Sequence, residues 1–275
     1  MMANGQSVST AKWIAAARAR ESARPDRLFD DPFAAALAGQ AGFEMLARSE
    51  AASGGENVFL PIRTRYFDDL LARVAADQVV LPGAGMDTRA YRLPLPDGTQ
   101  VFELDRADVL EEKERILAEA GAVARSARHA IDVDLTDAWT EELLAAGFEP
   151  GRRSIWIAEG LLFYLGGDEV RSLLENARSL AATGSVFAAD VFGTGLLDQA
   201  QMQPRLRFLA SAGRPPPFAT DDPAGLLASC GWAGAEITEP GDRGGTYGRL
   251  PEVGVQRTGV NRAYLIHAQA SMGDP

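Results

Sequence analysis

The sequence predicts an α/β protein built around a doubly wound parallel sheet, and two observations carry that prediction. Short apolar runs alternate with helical segments through the middle of the 275-residue chain, an order typical of parallel strands joined by crossover helices. The run VVLPGAGMDTRAYRL, from Val79 to Leu93, has the pattern of a buried strand, a glycine turn and a helix, and the next strand, VFELD, ends on Asp105. This pattern indicates a cleft for an adenosine-containing ligand, because glycines let the backbone approach it and the acid can accept hydrogen bonds from a ribose diol.

Residues 1–75 are predicted to form a helical cap. From Thr10 to Leu46 the sequence is rich in alanine and helical in pattern, with interruptions at Pro25 and at Asp31-Pro32, where proline disfavours a continuous helix. The Ser-Gly-Gly stretch at 53–55 marks a loop. Pro61 then begins a helix through RTRYFDDLLARV, because proline is well tolerated in the first helical turn.

Residues 76–192 are predicted to be the cofactor-binding core, with five parallel strands. The helix GDEVRSLLENARSLAA, between the fourth and fifth strands, is expected to be N-capped by Asp168 and to end at Gly184. The predicted strands are 78–81, 100–104, 130–133, 154–158 and 185–191.

The alternation changes after the fifth strand. The amphipathic stretch LLDQAQMQPRLRFLASAG and the three prolines at 215–217 predict a lid-like insertion over residues 193–222. Residues 223–275 are then expected to supply a helix at 224–229 and two closing strands, at 235–238 and 263–267. We treat the whole chain as one domain, because no linker composition separates these parts.

Composition excludes several classes of protein. A formal net charge of −11 argues against a nucleic-acid partner, because phosphate backbones repel an acidic surface. The single cysteine, Cys230, excludes an internal disulfide and a thiolate metal cluster, so no metal site is expected. The N-terminus lacks a signal-peptide pattern, and no apolar run approaches the roughly 18 residues of a membrane span. We therefore expect a soluble, cytoplasmic protein that does not enter membranes.

The glycine turn distinguishes between cofactors. A dinucleotide fingerprint requires G-x-G-x-x-G, and Gly83 and Gly85 supply the first two glycines while Thr88 occupies the third position. The third glycine allows close helix packing beneath a pyrophosphate. S-adenosyl-L-methionine has no phosphate, so the missing glycine favours this methyl donor. A nicotinamide-dependent oxidoreductase stays open as an alternative.

S-adenosyl-L-methionine has three polar groups that residues of this chain can bind: the ribose diol, the methionine carboxylate and the amino group. Asp105 is suited to the ribose diol, and Arg63 can pair with the methionine carboxylate through its guanidinium group. Glu159, in IAEGLLFYL, follows a later apolar strand at the end where open α/β sheets bind ligands, and it can accept from the amino group.

The linked motifs resemble a known family. RPDRLFDDPFAAALAG, IRTRYFDD, VVLPGAGMDTRAYRL, FELDRADV, VDLTD and IAEGLLFYL are similar to motifs of the leucine carboxyl methyltransferase-like family of S-adenosylmethionine-dependent methyltransferases. The similarity is greatest to its actinobacterial small-molecule branch, which includes polyketide carboxyl O-methyltransferases, and it extends from Thr10 to Gln269. It implies a class I methyltransferase (Rossmann-like) fold, with a seven-stranded sheet whose last strand inserts antiparallel.

The resemblance also implies a set of cofactor-binding residues. Arg63 would bind the methionine carboxylate, the PGAG turn would lie against the methionine moiety, and Asp105 would bind the ribose. Asp134 and Leu135 would flank the adenine, and Glu159 would lie near the amino-acid end. The full set of cofactor-binding residues is Lys12, Arg63, Gly83, Ala84, Gly85, Asp105, Asp134, Leu135 and Glu159. The chain departs from the family's sequence pattern at Pro82, where leucine or glycine is usual.

The acceptor is expected to be a small molecule, and the scarcity of histidine favours a carboxylate. A carboxylate is ionised at neutral pH and needs no general base, whereas a phenol or alcohol usually needs one. The only histidines, His129 and His267, are expected in or beside strands. Catalysis would then depend mainly on positioning, and Tyr164 is a candidate for lining the acceptor pocket. A hydroxyl acceptor, or a cofactor-binding protein without transfer activity, stays open.

Overall fold

A seven-stranded sheet forms the centre of the computed structural model, which describes residues 6–200, 202–203, 206–207, 210, 216–242, 245–250 and 262–271. The strand order is β3-β2-β1-β4-β5-β7-β6. The strands are β1 (Gln78–Pro82), β2 (Gln100–Asp105), β3 (Ala127–Asp132), β4 (Ser154–Ala158), β5 (Val186–Phe192), β6 (Trp232–Thr238) and β7 (Ala263–Ala270).

Helices precede the sheet and connect its strands. The connection between β4 and β5 begins with a single 3-10 turn, Leu162–Tyr164. The helices are α1 (Gln6–Ser22), α2 (Ala34–Ser53), α3 (Phe59–Arg73), α4 (Arg89–Arg92), α5 (Ala107–Glu119), α6 (Thr140–Ala145), α7 (Gly167–Leu180), α8 (Thr194–Leu197) and α9 (Pro223–Ser229). Among the described residues, none of these helices combines the length and apolarity that crossing a membrane requires.

The pairing confirms the predicted doubly wound sheet. Strands β1 to β5 pair in parallel, whereas β7 lies antiparallel between β5 and β6. The carboxyl ends of the parallel strands therefore lie along one edge, where the topology changes direction between β1 and β4. Such an edge is the usual ligand-binding position of open α/β sheets.

Two apolar cores lie on the two faces of the sheet. Because successive strand residues point to opposite faces, Trp156 packs in the core with Trp139 and Phe187, whereas its neighbour Ile155 packs in the core with Phe67. The second core also contains buried residues of α1, α2 and α3. The N-terminal helices are thereby fixed to the sheet.

The breaks predicted in the N-terminal region are confirmed, since α1 ends at Ser22 and α2 begins at Ala34. The two helices approach closely at Gly42, where a Cβ would lie 2.5 Å from the carbonyl oxygen of Lys12. A second break lies inside α2 at Gly39, whose φ of 52° is unfavourable for residues with a side chain.

Two predictions about α7 are wrong. The helix begins at Gly167, and the carboxylate of Glu169 accepts a hydrogen bond of 2.7 Å from the backbone N–H of Gly166, so Asp168 lies inside the first turn and is not the N-cap. The helix ends at Leu180, and Gly184, with φ 79°, belongs to the turn before β5. The predicted lid insertion, residues 193–222, lies partly outside the described residues. Of its prolines at 215–217, the first lies outside them.

Candidate functional site

A cavity of about 730 Å³ opens at the carboxyl ends of β1, β2, β4 and β5, within the size range typical of small-molecule sites. Residues of α1, α2 and α3 form part of its wall. Eight of the nine predicted cofactor-site residues line it, as does Tyr164. The eight are Arg63, Gly83, Ala84, Gly85, Asp105, Asp134, Leu135 and Glu159.

The glycine turn closes the end of β1 against β2. The backbone N–H groups of Gly83 and Ala84 both donate to the carbonyl oxygen of Leu104, at 2.8 and 3.2 Å. Gly83 has φ 64°, and a Cβ at this position would lie 2.9 Å from Cδ1 of Leu161. The backbone conformation therefore favours glycine, and a Cβ would in addition require the Leu161 side chain to shift.

Pro82 costs the sheet little at this position. The pairing of β1 with β4 ends at Val80 opposite Trp156, two residues before Pro82. On the other side, the following residue, Gly83, supplies the hydrogen bond to β2. A proline, which has no N–H to donate, is tolerated where the strand needs no further donor.

Asp105 connects β2 to the glycine turn. Its Oδ2 accepts a hydrogen bond of 2.7 Å from the N–H of Gly85, and its Oδ1 accepts one of 2.8 Å from the N–H of Arg106. Burial raises the pKa of this carboxyl group, although both backbone N–H groups oppose the shift. Since each carboxylate oxygen has two lone pairs, both oxygens retain capacity for a ligand hydroxyl.

Arg63, on α3, lines the same cavity, and only 4% of its surface is exposed. Its Nε donates to Oε1 of Glu159 at 3.1 Å, and its Nη1 donates to Oδ2 of Asp190 at 2.9 Å. Burial lowers the pKa of the guanidinium group, but the charges of Asp190 and Glu159 outweigh burial and raise it. Arg63 is therefore a fixed cation at the cavity wall.

Glu159 is held between two arginines. Its Oε2 forms an ion pair of 2.7 Å with Nη2 of Arg89, in addition to the contact of Oε1 with Arg63. Burial raises the pKa of Glu159, but the charges of Arg89 and Arg63 outweigh burial and lower it. The carboxylate is thus ionised at neutral pH in a site with little solvent.

Sequence reasoning missed Arg89 and Asp190. Arg89 is 1% exposed and forms ion pairs with Asp68, Asp87 and Glu159. Asp190 interrupts the apolar strand FAADVF two residues before the end of β5, so an acid near a strand's carboxyl end was the available signal. Arg89 offered a weaker signal, because an arginine after a glycine turn is ordinarily exposed.

Asp132, at the end of β3, and Asp134, in the VDLTD motif that follows, have different contacts. Asp132 ends β3, and its Oδ1 accepts a hydrogen bond of 2.8 Å from the N–H of Ala107 at the start of α5. Asp134 lines the cavity, and its Oδ1 accepts from the N–H and the hydroxyl of Thr136, at 3.0 and 2.7 Å. The residue predicted beside adenine is thus the one that reaches the cavity.

Lys12 is not brought together with the other predicted residues. Its Nζ lies 2.6 Å from Oε1 of Glu112 on α5, and the residue does not line the cavity. Ala11 and Trp13, its neighbours in α1, line the cavity instead. The ion pair with α5 directs the lysine away from the site.

Half-buried aromatic side chains line the cavity near Arg63. The ring centroids of Phe163 and Phe192 are 5.5 Å apart, and those of Phe59 and Phe192 are 6.2 Å apart. Cζ of Arg63 lies 5.7 Å from the centre of the Phe59 ring. Tyr164, packed against Phe163 with centroids 5.6 Å apart, adds a hydroxyl group to this wall.

Both histidines lie in the described part of the chain, and neither lines the cavity. His129 is stacked on Phe102, and its Nε2 lies 2.9 Å from Oε1 of Gln100. Nδ1 of His267 lies 2.8 Å from the hydroxyl oxygen of Tyr66. Both side chains therefore have structural partners.

Comparisons with known proteins identify relatives of the chain. The leucine carboxyl methyltransferase family model matches residues 11–178, which is more than half of the chain. A relative from Frankia alni is 40% identical over 256 residues, covering 88% of this chain and 87% of its own length. A relative from Parafrankia sp. is 43% identical over 197 residues, which cover 68% of this chain and 62% of that relative. Both names assign these relatives provisionally to the S-adenosyl-L-methionine-dependent methyltransferases.

A solved structure shows the same fold. The crystal structure of a Thermobifida fusca protein, described provisionally as a methyltransferase, superimposes with a TM-score of 0.56 at 13% identity. The match covers 85% of this chain and 90% of that protein. At this identity the likeness concerns the fold alone, and it agrees with the predicted class I methyltransferase architecture.

Proposed function

The chain belongs to the leucine carboxyl methyltransferase family and is an S-adenosyl-L-methionine-dependent methyltransferase; from this premise we propose that it is an O-methyltransferase. The acceptor in this proposal is the carboxylate of a small molecule, such as a polyketide or another secondary metabolite. The observation that carries the proposal is the cavity that joins the charged groups at Arg63, Asp105 and Glu159 to an aromatic wall. The family assignment removes the nicotinamide-dependent alternative.

The groups around the cavity fit the cofactor. The backbone of Gly83, Ala84 and Gly85 forms part of the cavity wall, and Asp105 presents two oxygens that can accept from ribose hydroxyls. In this proposal Arg63 binds the cofactor's carboxylate, and Glu159, which is paired with Arg63, accepts from the cofactor's ammonium group. Asp134 and Leu135 are assigned to the adenine. When bound, the cofactor supplies a methyl group on a positively charged sulfur.

The protein's contribution to the reaction is chiefly positioning. Holding an acceptor oxygen in line with the methyl group at near-attack distance can lower the barrier by about 7–11 kcal/mol. Helices α1, α2 and α3 supply part of the cavity wall, and an acceptor that fills the cavity would displace water from beside its own reacting oxygen. An ionised carboxylate needs no proton removed, so this mechanism requires no general base.

The aromatic wall favours an acceptor with an apolar body. Phe59, Phe163 and Phe192 are half-buried, so they present apolar surface to a ligand that covers them. Arg63 and Glu159, which form an ion pair beside this wall, are the residues assigned above to the amino-acid end of the cofactor. We therefore assign the charged end of the cavity to the cofactor and the aromatic end to the acceptor.

Methyl transfer to matched acceptor sets tests this function. The protein would be incubated with S-adenosyl-L-methionine carrying an isotope-labelled methyl group and with aromatic and aliphatic carboxylic acids, their amides, and phenols of the same skeleton. We expect labelled methyl esters from the acids and a rate nearly constant between about pH 6 and 9, because carboxylates are ionised throughout. Transfer confined to phenols, with a rate that rises with phenol ionisation, would contradict the carboxylate acceptor.

A further inference from the structure

Asp190 has contacts that the family assignment does not explain. We propose that Asp190 is a positioning residue that fixes the Arg63 guanidinium, so that the remaining nitrogen, Nη2, meets the carboxylate of the bound cofactor. The inference rests on the proposed cofactor site and adds a residue to it. Asp190 is not assigned a chemical step.

The carboxylate of Asp190 links its own strand, β5, to α3 and to the turn after β4. Its Oδ2 accepts a hydrogen bond of 2.9 Å from Nη1 of Arg63, which lies on α3 of the cap. Its Oδ1 accepts one of 2.6 Å from the N–H of Gly160, in the turn that follows Glu159. The side chains of Arg63 and Asp190 are both 5% exposed, so water does not substitute for either contact.

Glu159 alone would leave the guanidinium less well fixed. Glu159 contacts Arg63 only through Nε, and the same carboxylate also holds Arg89. A single hydrogen bond allows the guanidinium plane to rotate, whereas contacts at Nε and Nη1 together define that plane. Asp190 supplies the second contact.

The third nitrogen of Arg63 is left available by this arrangement. Among residues that the structure describes, no hydrogen bond or ion pair to Nη2 is present. The guanidinium also packs against Gly160, where a Cβ would lie 3.0 Å from Nη1 and 3.1 Å from Nη2. Asp190 therefore holds Arg63 in a narrow space with one donor nitrogen free for a ligand that enters the cavity.

The variant Asp190→Asn tests the proposal with little change in size. The amide oxygen can still accept from Gly160, but the amide nitrogen is a donor and repels Nη1 of Arg63. Two ligands would be titrated by calorimetry: S-adenosylhomocysteine, which carries the amino-acid end, and 5′-methylthioadenosine, which lacks it. We expect S-adenosylhomocysteine to bind about 10- to 100-fold more weakly and 5′-methylthioadenosine to bind as it does to the wild type.

A matched control separates positioning from general destabilisation. Asp68 is a buried carboxylate that pairs with Arg89 and Arg92 in the same ion cluster, but it does not line the cavity. Asp68→Asn should lower the melting temperature without changing the ratio of the two affinities. Equal losses for both ligands in Asp190→Asn, or no loss for either, would overturn the proposal.

A second variant keeps the test decisive if Asp190→Asn does not fold. Asp190→Glu retains the charge that compensates buried Arg63, but its extra methylene group displaces the guanidinium. We expect a folded protein with the same selective loss of S-adenosylhomocysteine affinity, and an unchanged affinity ratio would count against the role of Asp190. A wild-type protein that binds neither ligand would overturn the proposed function, and this inference with it.

Discussion

At the scale of single residues, Asp105 combines a structural and a proposed binding role in one carboxylate. It accepts hydrogen bonds from the N–H groups of Gly85 and Arg106, and thereby holds the glycine turn beside the end of β2. The same carboxylate lines the cavity. A side chain held by two backbone groups has little freedom to lose when a ribose binds, which favours affinity.

Removing this carboxylate should weaken cofactor binding. For Asp105→Ala we predict a loss of about 1.5–3 kcal/mol in the binding free energy of S-adenosylhomocysteine, the range for hydrogen bonds to a charged group. Calorimetric titration measures it. Asp132→Ala is the matched control, because Asp132 also ends a strand and accepts from a helix N-terminus but does not line the cavity. Equal affinities in Asp105→Ala and the wild type would remove Asp105 from the site.

Asp87 should make the stability of the protein depend on pH in the acid range. Burial alone would raise its pKa, but the charges of Arg89 and Lys113 outweigh burial and lower the pKa from 3.8 to about 2. A lowered pKa means that the ionised form stabilises the fold above the ordinary pKa, and that this contribution disappears as pH falls toward 2. The shift corresponds to about 2 kcal/mol.

Urea unfolding of Asp87→Asn without ligand measures this contribution. The difference in unfolding free energy between the wild type and Asp87→Asn should narrow by about 2 kcal/mol as pH falls from about 5 to 2. The reason is that the wild type gradually loses the charge that the variant already lacks. A difference that stays constant over this range would contradict the ion pair between Asp87 and Arg89.

The residues that sequence reasoning missed share a physical cause. Asp190 and Arg89 meet Arg63 and Glu159 only because three strand ends and α3 converge in the fold. Their partners are distant in sequence, so no local pattern reveals the contact. Lys12 failed to join the site for a similar reason, since its partner Glu112 is 100 residues away.

At the scale of elements, the connection between β6 and β7 is tied to the cap by Arg249. Its Nη2 lies 2.5 Å from Oε1 of Glu21 on α1, and its Nη1 lies 2.9 Å from Oδ2 of Asp26. The side chains of Arg249 and Glu21 are 7% and 2% exposed. This ion pair fixes a late segment of the chain against the first helix.

Arg249→Ala should therefore destabilise the protein. We predict a loss of about 2 kcal/mol or more in the unfolding free energy, because the buried carboxylate of Glu21 would lose its principal cation. Chemical denaturation measures the loss. Arg115→Ala is a suitable control, since Arg115 on α5 is exposed and its ion pairs should contribute nothing measurable. Equal stabilities for the two variants would show that the contact between this segment and α1 is not important.

Strand bounds were predicted unevenly, since β3 and β6 each begin three residues before the predicted strands at 130–133 and 235–238. The apolar run of β4 gives its observed bounds, Ser154–Ala158, because a strand buried on both faces is apolar throughout. The start of α7 was misplaced because Gly166 has no side chain to mark a cap and Glu169 accepts its N–H from within the helix. The antiparallel direction of β7 was predicted from the family resemblance, because the sequence of a single strand does not show its direction.

At the scale of the whole molecule, the sequence was enough to predict the sheet and the strand-end residues that line the cavity. Alternating strands and helices require a doubly wound topology, and that topology brings the strand-end residues Asp105, Asp134 and Glu159 to one edge. The acceptor could not be predicted in this way. The end of the cavity that we propose for the acceptor combines residues of α2, α3, the 3-10 turn and β5, whose side chains carry no shared sequence pattern.

A crystal structure of the protein with S-adenosylhomocysteine is the most direct test of the account. We predict the ligand in the cavity at the carboxyl edge of the sheet, with its ribose hydroxyls within hydrogen-bond distance of Asp105. Its amino-acid end should lie beside Arg63 and Glu159. Density for the ligand at another place, or these three side chains turned away from it, would contradict the account.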